Sequence, residues 1–220
     1  MPAGQPTAIV FAAAPLEPTT RLRARLSALG QPYVVAADRG ATTALTFGFE
    51  PHVVVGDLDS IDASTLHELH QRGVPIESHP RDKDATDGQL AIARALQFGP
   101  SELVLLGFLG GPRLDQALAN VLLLVGLETP AVLLDDRNEC VLVRPGTPYA
   151  WRTETTEVVS LLPLDGDAKG VHTRGLRWPL IAETLRFGDT RGVSNEPIAR
   201  KATVSIEQGL LLVTRHFPTS

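Results

Sequence analysis

Residues 53–60 read Val53-Val54-Val55-Gly56-Asp57-Leu58-Asp59-Ser60, so three β-branched apolar residues run directly into two carboxylates. The apolar run is typical of a buried strand, whereas neither aspartate belongs in a hydrophobic core. In an extended chain residues i and i+2 project to the same side, so Asp57 and Asp59 are expected to point together. A hard divalent cation between them would relieve their repulsion. The pattern predicts a metal site, although either aspartate could instead form a turn or cap a helix after Ser60.

Strands and helices are predicted to alternate through the first 137 residues. Besides residues 53–55, buried strands are predicted at residues 8–14, 33–37, 74–77, 103–106 and 131–134. Segments in which apolar residues recur at helical spacing lie between most of these strands. This alternation predicts an α/β domain with a mainly parallel sheet. Its acidic and glycine-rich turns follow strands, and ligands bind at that edge of such sheets.

The pattern changes near residue 137. Beyond it no helical stripe is found, and short β-rich runs recur between turn residues such as Pro145-Gly146 and Gln208-Gly209. This second pattern predicts a small all-β sandwich or barrel. The expected domains are therefore residues 1–137 and residues 138–220.

Composition narrows the class of protein. The chain has 220 residues, of which 43% are hydrophobic and 20% charged, as in ordinary globular proteins. A net charge of −5 gives no basic field for nucleic acid, and no apolar stretch is long enough to span a bilayer. Cys140 is the only cysteine and no signal peptide is recognised, so we expect a cytoplasmic protein that binds neither nucleic acid nor membrane.

A second acidic turn, Asp82-Lys83-Asp84-Ala85-Thr86-Asp87, precedes a predicted helix. Helix capping would explain Asp84 or Thr86 at the N-cap and Asp87 in the first turn. Capping does not explain a lysine between two aspartates. Lys83 could pair with a phosphate oxygen while the neighbouring acids help to hold Mg²⁺, as phosphoryl transfer requires.

A glycine-rich loop, Gly107-Phe108-Leu109-Gly110-Gly111-Pro112-Arg113-Leu114-Asp115-Gln116, joins a predicted strand to a predicted helix. Glycines allow backbone N–H groups to approach a ligand, but no Gly-Lys-Ser/Thr follows, so this is not a Walker A loop. Arg113 could bind phosphate through its guanidinium fork, and Asp115 could accept a hydrogen bond from a substrate. A turn with a surface ion pair between the two is the alternative.

In the β-rich half, the residues themselves indicate structural roles for Trp178 and for Ser194-Asn195. A single tryptophan is more often part of a core than a ligand platform, and a Ser-Asn pair is common in turns.

Five stretches, in order, resemble the thiamine pyrophosphokinase (thiamine diphosphokinase) family. They are Asp38-Arg39-Gly40-Ala41, Gly56-Asp57-Leu58-Asp59-Ser60, Asp82-Lys83-Asp84-Ala85-Thr86-Asp87, Gly110-Gly111-Pro112-Arg113-Leu114-Asp115-Gln116, and the tail from Gly175-Leu176-Arg177-Trp178-Pro179-Leu180 to Gly192-Val193-Ser194-Asn195-Glu196. Each motif alone is common, but five in order across both halves are specific. The resemblance implies an α/β, Rossmann-like catalytic domain that binds ATP and Mg²⁺, followed by a β-sandwich that binds thiamine.

The resemblance also implies roles for individual positions. The expected catalytic acids are Asp57, Asp59, Asp87 and Asp115. The expected ATP-binding residues are Asp38, Arg39, Gly40, Lys83, Thr86, Gly110, Gly111 and Arg113. Thiamine is expected to meet Asp115, Gln116, Trp178, Ser194 and Asn195, with the indole ring facing the cationic thiazolium or the flat pyrimidine. With the acidic turns considered above, the expected Mg²⁺ ligands are Asp57, Asp59, Asp84 and Asp87.

Three positions depart from the family pattern. Arg39 stands where glycine is more common, which could narrow the nucleotide pocket or add a phosphate contact. Pro112 is an extra residue that shifts the glycine-rich loop, and Gln116 replaces a common histidine.

The activity implied is transfer of the pyrophosphoryl group of ATP to the hydroxyl of thiamine, giving thiamine diphosphate and AMP. The implied assembly is a homodimer, with thiamine bound between the catalytic domain of one subunit and the β domain of the other. Two alternatives stay open. One is a Mg²⁺-dependent phosphatase of the haloacid dehalogenase type, with Asp57 as nucleophile, and the other is a non-catalytic thiamine or nucleotide sensor.

Overall fold

The structure is a computed structural model that describes residues 6–80 and 82–218. The chain divides into two compact units, the first ending at Asp136 and the second beginning at Arg137. The first unit combines helices with a sheet and the second is built from antiparallel strands, which confirms the expected order of an α/β part and an all-β part. No helix in the described ranges is both long and apolar enough to cross a membrane.

The first unit alternates strands and helices. Its strands are β1 (Ala8–Phe11), β2 (Tyr33–Ala37), β3 (Val53–Gly56), β4 (Ile76–Ser78), β5 (Leu103–Leu106) and β6 (Ala131–Leu134). Its helices are α1 (Thr20–Ser27), α2 (Gly40–Thr46), α3 (Ala63–Gln71), α4 (Asp87–Leu96) and α5 (Leu114–Leu123), which continues into a 3₁₀ turn at Leu124–Gly126.

The strands of the first unit lie in the order β4-β3-β2-β1-β5-β6, and each neighbouring pair is parallel. In the central register Val10 lies between Val35 and Leu105. Strands buried on both faces are apolar along their whole length, which is why β1, β3 and β5 are continuous apolar runs. The chain moves outward from β1 to β4 and resumes on the other side at β5. The topological switch point, where such sheets bind ligands, therefore lies between β1 and β5.

Side-chain caps fix where two of the helices begin. The carboxylate of Asp62 accepts a hydrogen bond from the Thr65 N–H at 2.8 Å and caps α3. Asp57 and Asp59 are therefore not the caps of that helix. The hydroxyl of Thr86 accepts from the Gln89 N–H at 3.2 Å and caps α4.

The second unit contains two antiparallel sheets. Its strands are β7 (Asn138–Val143), β8 (Tyr149–Arg152), β9 (Val158–Pro163), β10 (Ala168–Arg174), β11 (Glu183–Leu185), β12 (Lys201–Ser205) and β13 (Leu211–His216). Strand β13 pairs with β7 and β9, and the other sheet has the order β11-β10-β12-β8. One apolar core draws on both sheets, including Val159 and Leu211 from the first and Trp151 and Val171 from the second.

A buried ionic network lies in the second unit around Arg215 of β13. The guanidinium donates to Glu157 at 2.6 and 3.0 Å and to Glu139 at 3.2 Å. The Tyr149 hydroxyl donates to Glu139, and the Trp151 indole N–H donates to Glu157, both at 2.9 Å. All three charged residues are less than 9% exposed, so each buried carboxylate is compensated by a cation and by neutral donors.

Candidate functional site

A cavity of about 820 Å³ opens in the first unit at the carboxyl ends of its strands. Its walls come from the loops that follow β1 to β5, from the first turn of α4 and from one side of α5. The predicted site residues that line it are Asp38, Arg39, Asp57, Asp59, Lys83, Thr86, Asp87, Gly110, Gly111, Arg113, Asp115 and Gln116. The volume lies within the range of small-molecule sites, and the position coincides with the switch point of the sheet.

Two predicted residues of the first unit do not line the cavity. Asp84 is exposed on the acidic turn. Gly40 is buried at the start of α2, where an added Cβ would lie 2.1 Å from the backbone oxygen of Phe11. Gly40 therefore allows α2 to pack closely against β1, and in that way it supports the neighbouring Arg39.

The two aspartates after β3 line the cavity, but the backbone between them has a conformation different from the one expected. Leu58 has φ of 64°, so the chain is not extended between Asp57 and Asp59. The expectation that strand alternation places the two carboxylates on one side was therefore wrong. Instead, the Asp57 carboxylate accepts from the Asp59 N–H at 3.2 Å and closes a local turn. The turn brings both side chains to the cavity.

Asp38 is the most buried acid of the cavity, at 8% exposure. Its carboxylate accepts a hydrogen bond from the Leu58 N–H at 3.0 Å and lies against Gly56, where an added Cβ would be 2.0 Å away. Burial first, and then the charges of Asp87 and Asp57, raise the pKa of Asp38 to about 6 against the lowering effect of the Leu58 N–H. Asp38 and Leu58 both have positive φ, so strained backbone surrounds this carboxylate.

Lys83 contributes a positive charge to this group of acids. Its Nζ lies 2.7 Å from Oδ1 of Asp87, and this contact raises the pKa of Lys83 above its usual value. The same Asp87 oxygen is buried, so in the structure its charge is compensated by the Lys83 ammonium. A carboxylate at a cavity can accept a bound cation as well, because each of its oxygens has more than one lone pair.

The acids of the cavity suit Mg²⁺ in one binding mode. No three His, Cys, Asp or Glu side chains in the described ranges are grouped so that they could hold an ion by themselves. Mg²⁺ often binds through only one or two carboxylates, with water and substrate phosphate oxygens completing the octahedron. Asp57, Asp59 and Asp87 fit this second mode, because they are hard oxygen ligands that line one cavity.

Arg113 and Asp115 pair with each other at the start of α5. Two parallel hydrogen bonds of 2.8 and 2.5 Å join the guanidinium to the carboxylate, and both side chains are more than 60% exposed. The pairing lowers the pKa of Asp115 to about 2, so in this arrangement Asp115 is a poor proton acceptor. The surface ion pair left open by the sequence is thus present. Arg113 makes no side-chain hydrogen bond that caps the helix, whereas the Asp115 carboxylate accepts from backbone N–H groups of the first turn.

Trp178, Ser194 and Asn195 meet in the second unit. The Trp178 ring is 53% exposed and carries the Arg177 guanidinium at 5.1 Å from its centroid. Asn195 is 8% exposed, and its side chain bonds to the main chain of Trp178. The expectation from the residues alone that Trp178 belongs to the core was wrong.

The cavity includes residues that the sequence did not indicate. The loop after β1, from Ala12 to Pro15, forms one wall, and Asn120 holds the glycine-rich loop by donating to the Phe108 oxygen at 2.8 Å. The prediction that the first strand extends to Ala14 was wrong, because β1 ends at Phe11 and residues 12–15 form the loop. For Asn120 the signal was a polar residue within an apolar helical stretch.

The fold and the cavity define a class of protein in which an α/β unit binds its ligand at the carboxyl edge of the sheet and an all-β unit follows. Residues 27–133 match the thiamin pyrophosphokinase catalytic domain, and residues 151–211 match the thiamin pyrophosphokinase vitamin B1 binding domain. The chain belongs to the thiamin pyrophosphokinase family.

Individual relatives agree with this assignment. A thiamine pyrophosphokinase of Bacillus subtilis strain 168 is 29% identical over 184 residues, which cover 82% of this chain and 86% of the relative. The crystal structure of thiamine pyrophosphokinase from Bacillus subtilis superposes with a TM-score of 0.85 at 26% identity, covering 97% of this chain and 100% of that one. The thiamin pyrophosphokinase structure from Geobacillus thermodenitrificans gives 0.84 at 28% identity, with 97% and 99% covered.

Proposed function

We propose that the protein is a thiamine diphosphokinase, which transfers the pyrophosphoryl group of ATP to the hydroxyl of thiamine. The thiamine oxygen forms a bond to the β-phosphorus of ATP, and the bond from that phosphorus to the α,β-bridging oxygen breaks. AMP leaves with the electron pair, and the hydroxyl proton passes to a carboxylate. The observation that carries the proposal is a single cavity at the sheet's switch point that contains Asp57, Asp59, Lys83 and Asp87.

In this proposal the first unit is a Rossmann-like nucleotide-binding unit. The start of α5 lies at the cavity and suits a phosphate, because a helix N-terminus carries partial positive charge. Lys83 is positioned to neutralise charge that develops on the transferred group, and Arg113 adds a guanidinium once a phosphate replaces its present partner. Arg39 and Gln116, two of the departures from the family pattern, line the same cavity.

The cavity acids divide between holding Mg²⁺ and accepting the proton. Asp57, Asp59 and Asp87 would hold Mg²⁺, which when bound neutralises phosphate charge and orients the phosphate chain. Asp84 is exposed outside the cavity and would reach such an ion only after a rearrangement of its turn. Because Asp115 pairs with Arg113 and has a lowered pKa, the other carboxylates of the cavity are the better proton acceptors in this arrangement.

We further propose that the protein acts as a homodimer, in which Trp178 and Ser194 of the second unit contact thiamine bound at the partner's first unit. Helix α5 supports a dimer, because none of its residues is buried and one side exposes Leu114, Leu118 and Leu122 at 72, 56 and 55%. Such an i, i+4, i+8 stripe is self-complementary about a two-fold axis. A cytoplasmic location is part of the same proposal, supported by the single, buried cysteine.

Mixing the protein with ATP, Mg²⁺ and thiamine and identifying the products by mass spectrometry tests the activity. Thiamine diphosphate and AMP in equal amounts are expected, and EDTA should abolish both. Inorganic phosphate with a covalent aspartyl-phosphate on Asp57 would instead show a phosphatase. Thiamine binding with no product at all would show a sensor.

The dimer can be tested independently by light scattering. Leu118→Glu places a charge in the α5 stripe and is expected to give monomers, because a charge without a partner is unfavourable in an apolar interface. Leu118→Ala is the matched control at the same position and should weaken the dimer far less. A wild-type protein that is monomeric at micromolar concentration would refute this part of the proposal.

A further inference from the structure

The segment from Gly175 to Leu180 is fixed to the rest of the second unit along its main chain. The Arg177 N–H donates to the Glu196 oxygen at 2.8 Å, and the Ile198 N–H donates to the Gly175 oxygen at 2.9 Å. At the far end, the Leu180 N–H donates to the Thr173 hydroxyl at 2.8 Å. Trp178 is the exposed apex of this segment.

Asn195 holds that apex through its side chain. Its Oδ1 accepts from the Trp178 N–H at 3.1 Å, and its Nδ2 donates to the Trp178 oxygen at 2.8 Å. The same Oδ1 accepts from the Glu196 N–H at 2.9 Å. One carboxamide thus satisfies both backbone groups of Trp178, and these contacts use both its acceptor and its donor.

The backbone of Asn195 is anchored as firmly as its side chain. It exchanges two hydrogen bonds with Val159 of β9, at 2.7 and 2.8 Å, and the residue is only 8% exposed. Ser194 differs from Asn195 in its exposure, its backbone conformation and its hydrogen bonds. It is exposed, its φ is 65°, and its N–H donates to the Ser160 hydroxyl at 3.1 Å, so its own hydroxyl lies outside these bonds.

We propose that Asn195 is a positioning residue, which clamps the main chain of Trp178 and thereby fixes the direction of the exposed indole ring. Direct contact with the ligand falls to Trp178 and Ser194, so two adjacent residues with the same expected role have different ones. The role of the indole as a thiamine contact rests on the proposed function, whereas the clamp itself does not.

The clamp explains how an exposed ring can be held in one orientation, suitable for stacking on a flat cation. Trp178 is 53% exposed, so few packing contacts hold its indole ring. If the ring populates several rotamers in the free protein, binding must fix one of them, and this entropic cost lowers the affinity. The Asn195 carboxamide removes the freedom of the backbone. The Arg177 guanidinium, itself paired with Glu196 at 2.8 Å, lies over the ring and limits the freedom of the side chain.

The test uses the full chain labelled with 5-fluorotryptophan. The protein has two tryptophans, so two ¹⁹F signals are expected, and Trp178→Phe assigns them. In the ligand-free protein Asn195→Ala should shift or broaden the Trp178 signal and leave the Trp151 signal unchanged. Ser194→Ala, the matched control, should leave both signals in place.

Kinetics complete the test. Asn195→Ala should raise KM for thiamine about tenfold, as expected for the loss of well-formed hydrogen bonds at a binding site, with KM for ATP unchanged. Asn195→Asp keeps the acceptor but loses the donor, so it provides a milder variant if the alanine protein does not fold, with the Trp151 signal as a check of folding.

Two results would overturn the proposal that Asn195 positions Trp178 for thiamine. One is an unchanged Trp178 signal in the free Asn195→Ala protein together with weaker thiamine binding, which would make Asn195 a direct contact. The other is a displaced Trp178 signal with unchanged KM for thiamine. A wild-type protein that neither binds nor converts thiamine would refute the proposed function, while a displaced ¹⁹F signal would still support the clamp.

Discussion

Both units bury carboxylates, but they compensate them in different ways. In the second unit Glu139 and Glu157 surround Arg215, and Tyr149 and Trp151 supply further donors. In the first unit Asp38 is buried near two other aspartates whose charges raise its pKa, and Lys83 contacts one of them, Asp87.

The difference separates a structural network from a binding site. A compensated network leaves nothing for a ligand to add, whereas an excess of negative charge beside a cavity becomes favourable only when a cation arrives. The raised pKa of Asp38 and the strained backbone at Asp38 and Leu58 are also typical of a binding site rather than of a structural network. The predictions below test this contrast.

Removing the cation from the second unit should have the largest effect. Arg215→Met leaves two buried carboxylates without their partner and should lower the free energy of unfolding by about 3–5 kcal/mol, measured by urea denaturation. Arg186→Met, an exposed matched control, should change it by less than about 0.5 kcal/mol. Equal losses in the two variants would mean that the network is not a source of stability.

Removing one acid from the first unit should affect catalysis rather than stability. Asp59→Asn removes one charge from the proposed Mg²⁺ site and should lower kcat about 100-fold or more, as the loss of a main electrostatic contact does. Asp165→Asn, at an exposed turn of the second unit, is the control and should leave kcat unchanged. Wild-type turnover of the Asp59 variant at saturating Mg²⁺ would contradict the metal assignment.

Asp38→Asn should stabilise the metal-free protein, which is the opposite of what happens when a network is broken. The pKa of Asp38 is about 6 in the folded protein and near 3.8 otherwise, so ionisation is disfavoured by folding. Below about pH 4 Asp38 is protonated in both the folded and the unfolded protein, so its burial does not lower the free energy of unfolding. As pH rises from 4 to 6 the unfolded chain loses its proton first, so the wild type loses stability, and above 6 the penalty is complete.

The asparagine variant carries no such penalty, and its side-chain oxygen can still accept from the Leu58 N–H. We expect it to be more stable than the wild type by about 2 kcal/mol at pH 8 in EDTA, with the difference vanishing near pH 4. Urea denaturation at the two pH values measures this. A variant less stable than the wild type at pH 8 would show that the carboxylate is not strained.

The smallest effect on stability is expected at the exposed pair of Arg113 and Asp115. Arg113→Gln should change the free energy of unfolding by less than about 1 kcal/mol, because solvent screens such pairs. It should nevertheless raise KM for ATP if the guanidinium turns to a phosphate. A KM for ATP equal to that of the wild type would leave Arg113 as a surface residue only.

The strands that position the cavity could be predicted from the sequence because their burial on both faces makes them continuous apolar runs. The bounds of β2, β5 and β6 agree with prediction to the residue. The acids after β3 were found for the same reason, since a change from Val to Asp marks the edge of a core.

The remaining features depend on contacts that no local pattern contains. The turn at Leu58 requires positive φ in a leucine, which propensity disfavours and which the distant carboxylate of Asp38 stabilises. Likewise, a Ser-Asn pair says nothing about Trp178, which lies 17 residues from Asn195 along the chain yet shares two hydrogen bonds with its side chain.

Positions 38 and 56 are in contact, so substitutions at one are expected to depend on the residue at the other. A side chain at 56 would meet the Asp38 carboxylate at 2.0 Å, and the φ of 147° disfavours any residue other than glycine. In a library of random variants selected for activity, position 56 should therefore stay glycine. If the library is selected for folding alone, substitutions at 56 should appear together with smaller residues at 38, so the two selections would separate what the fold requires from what the active site adds.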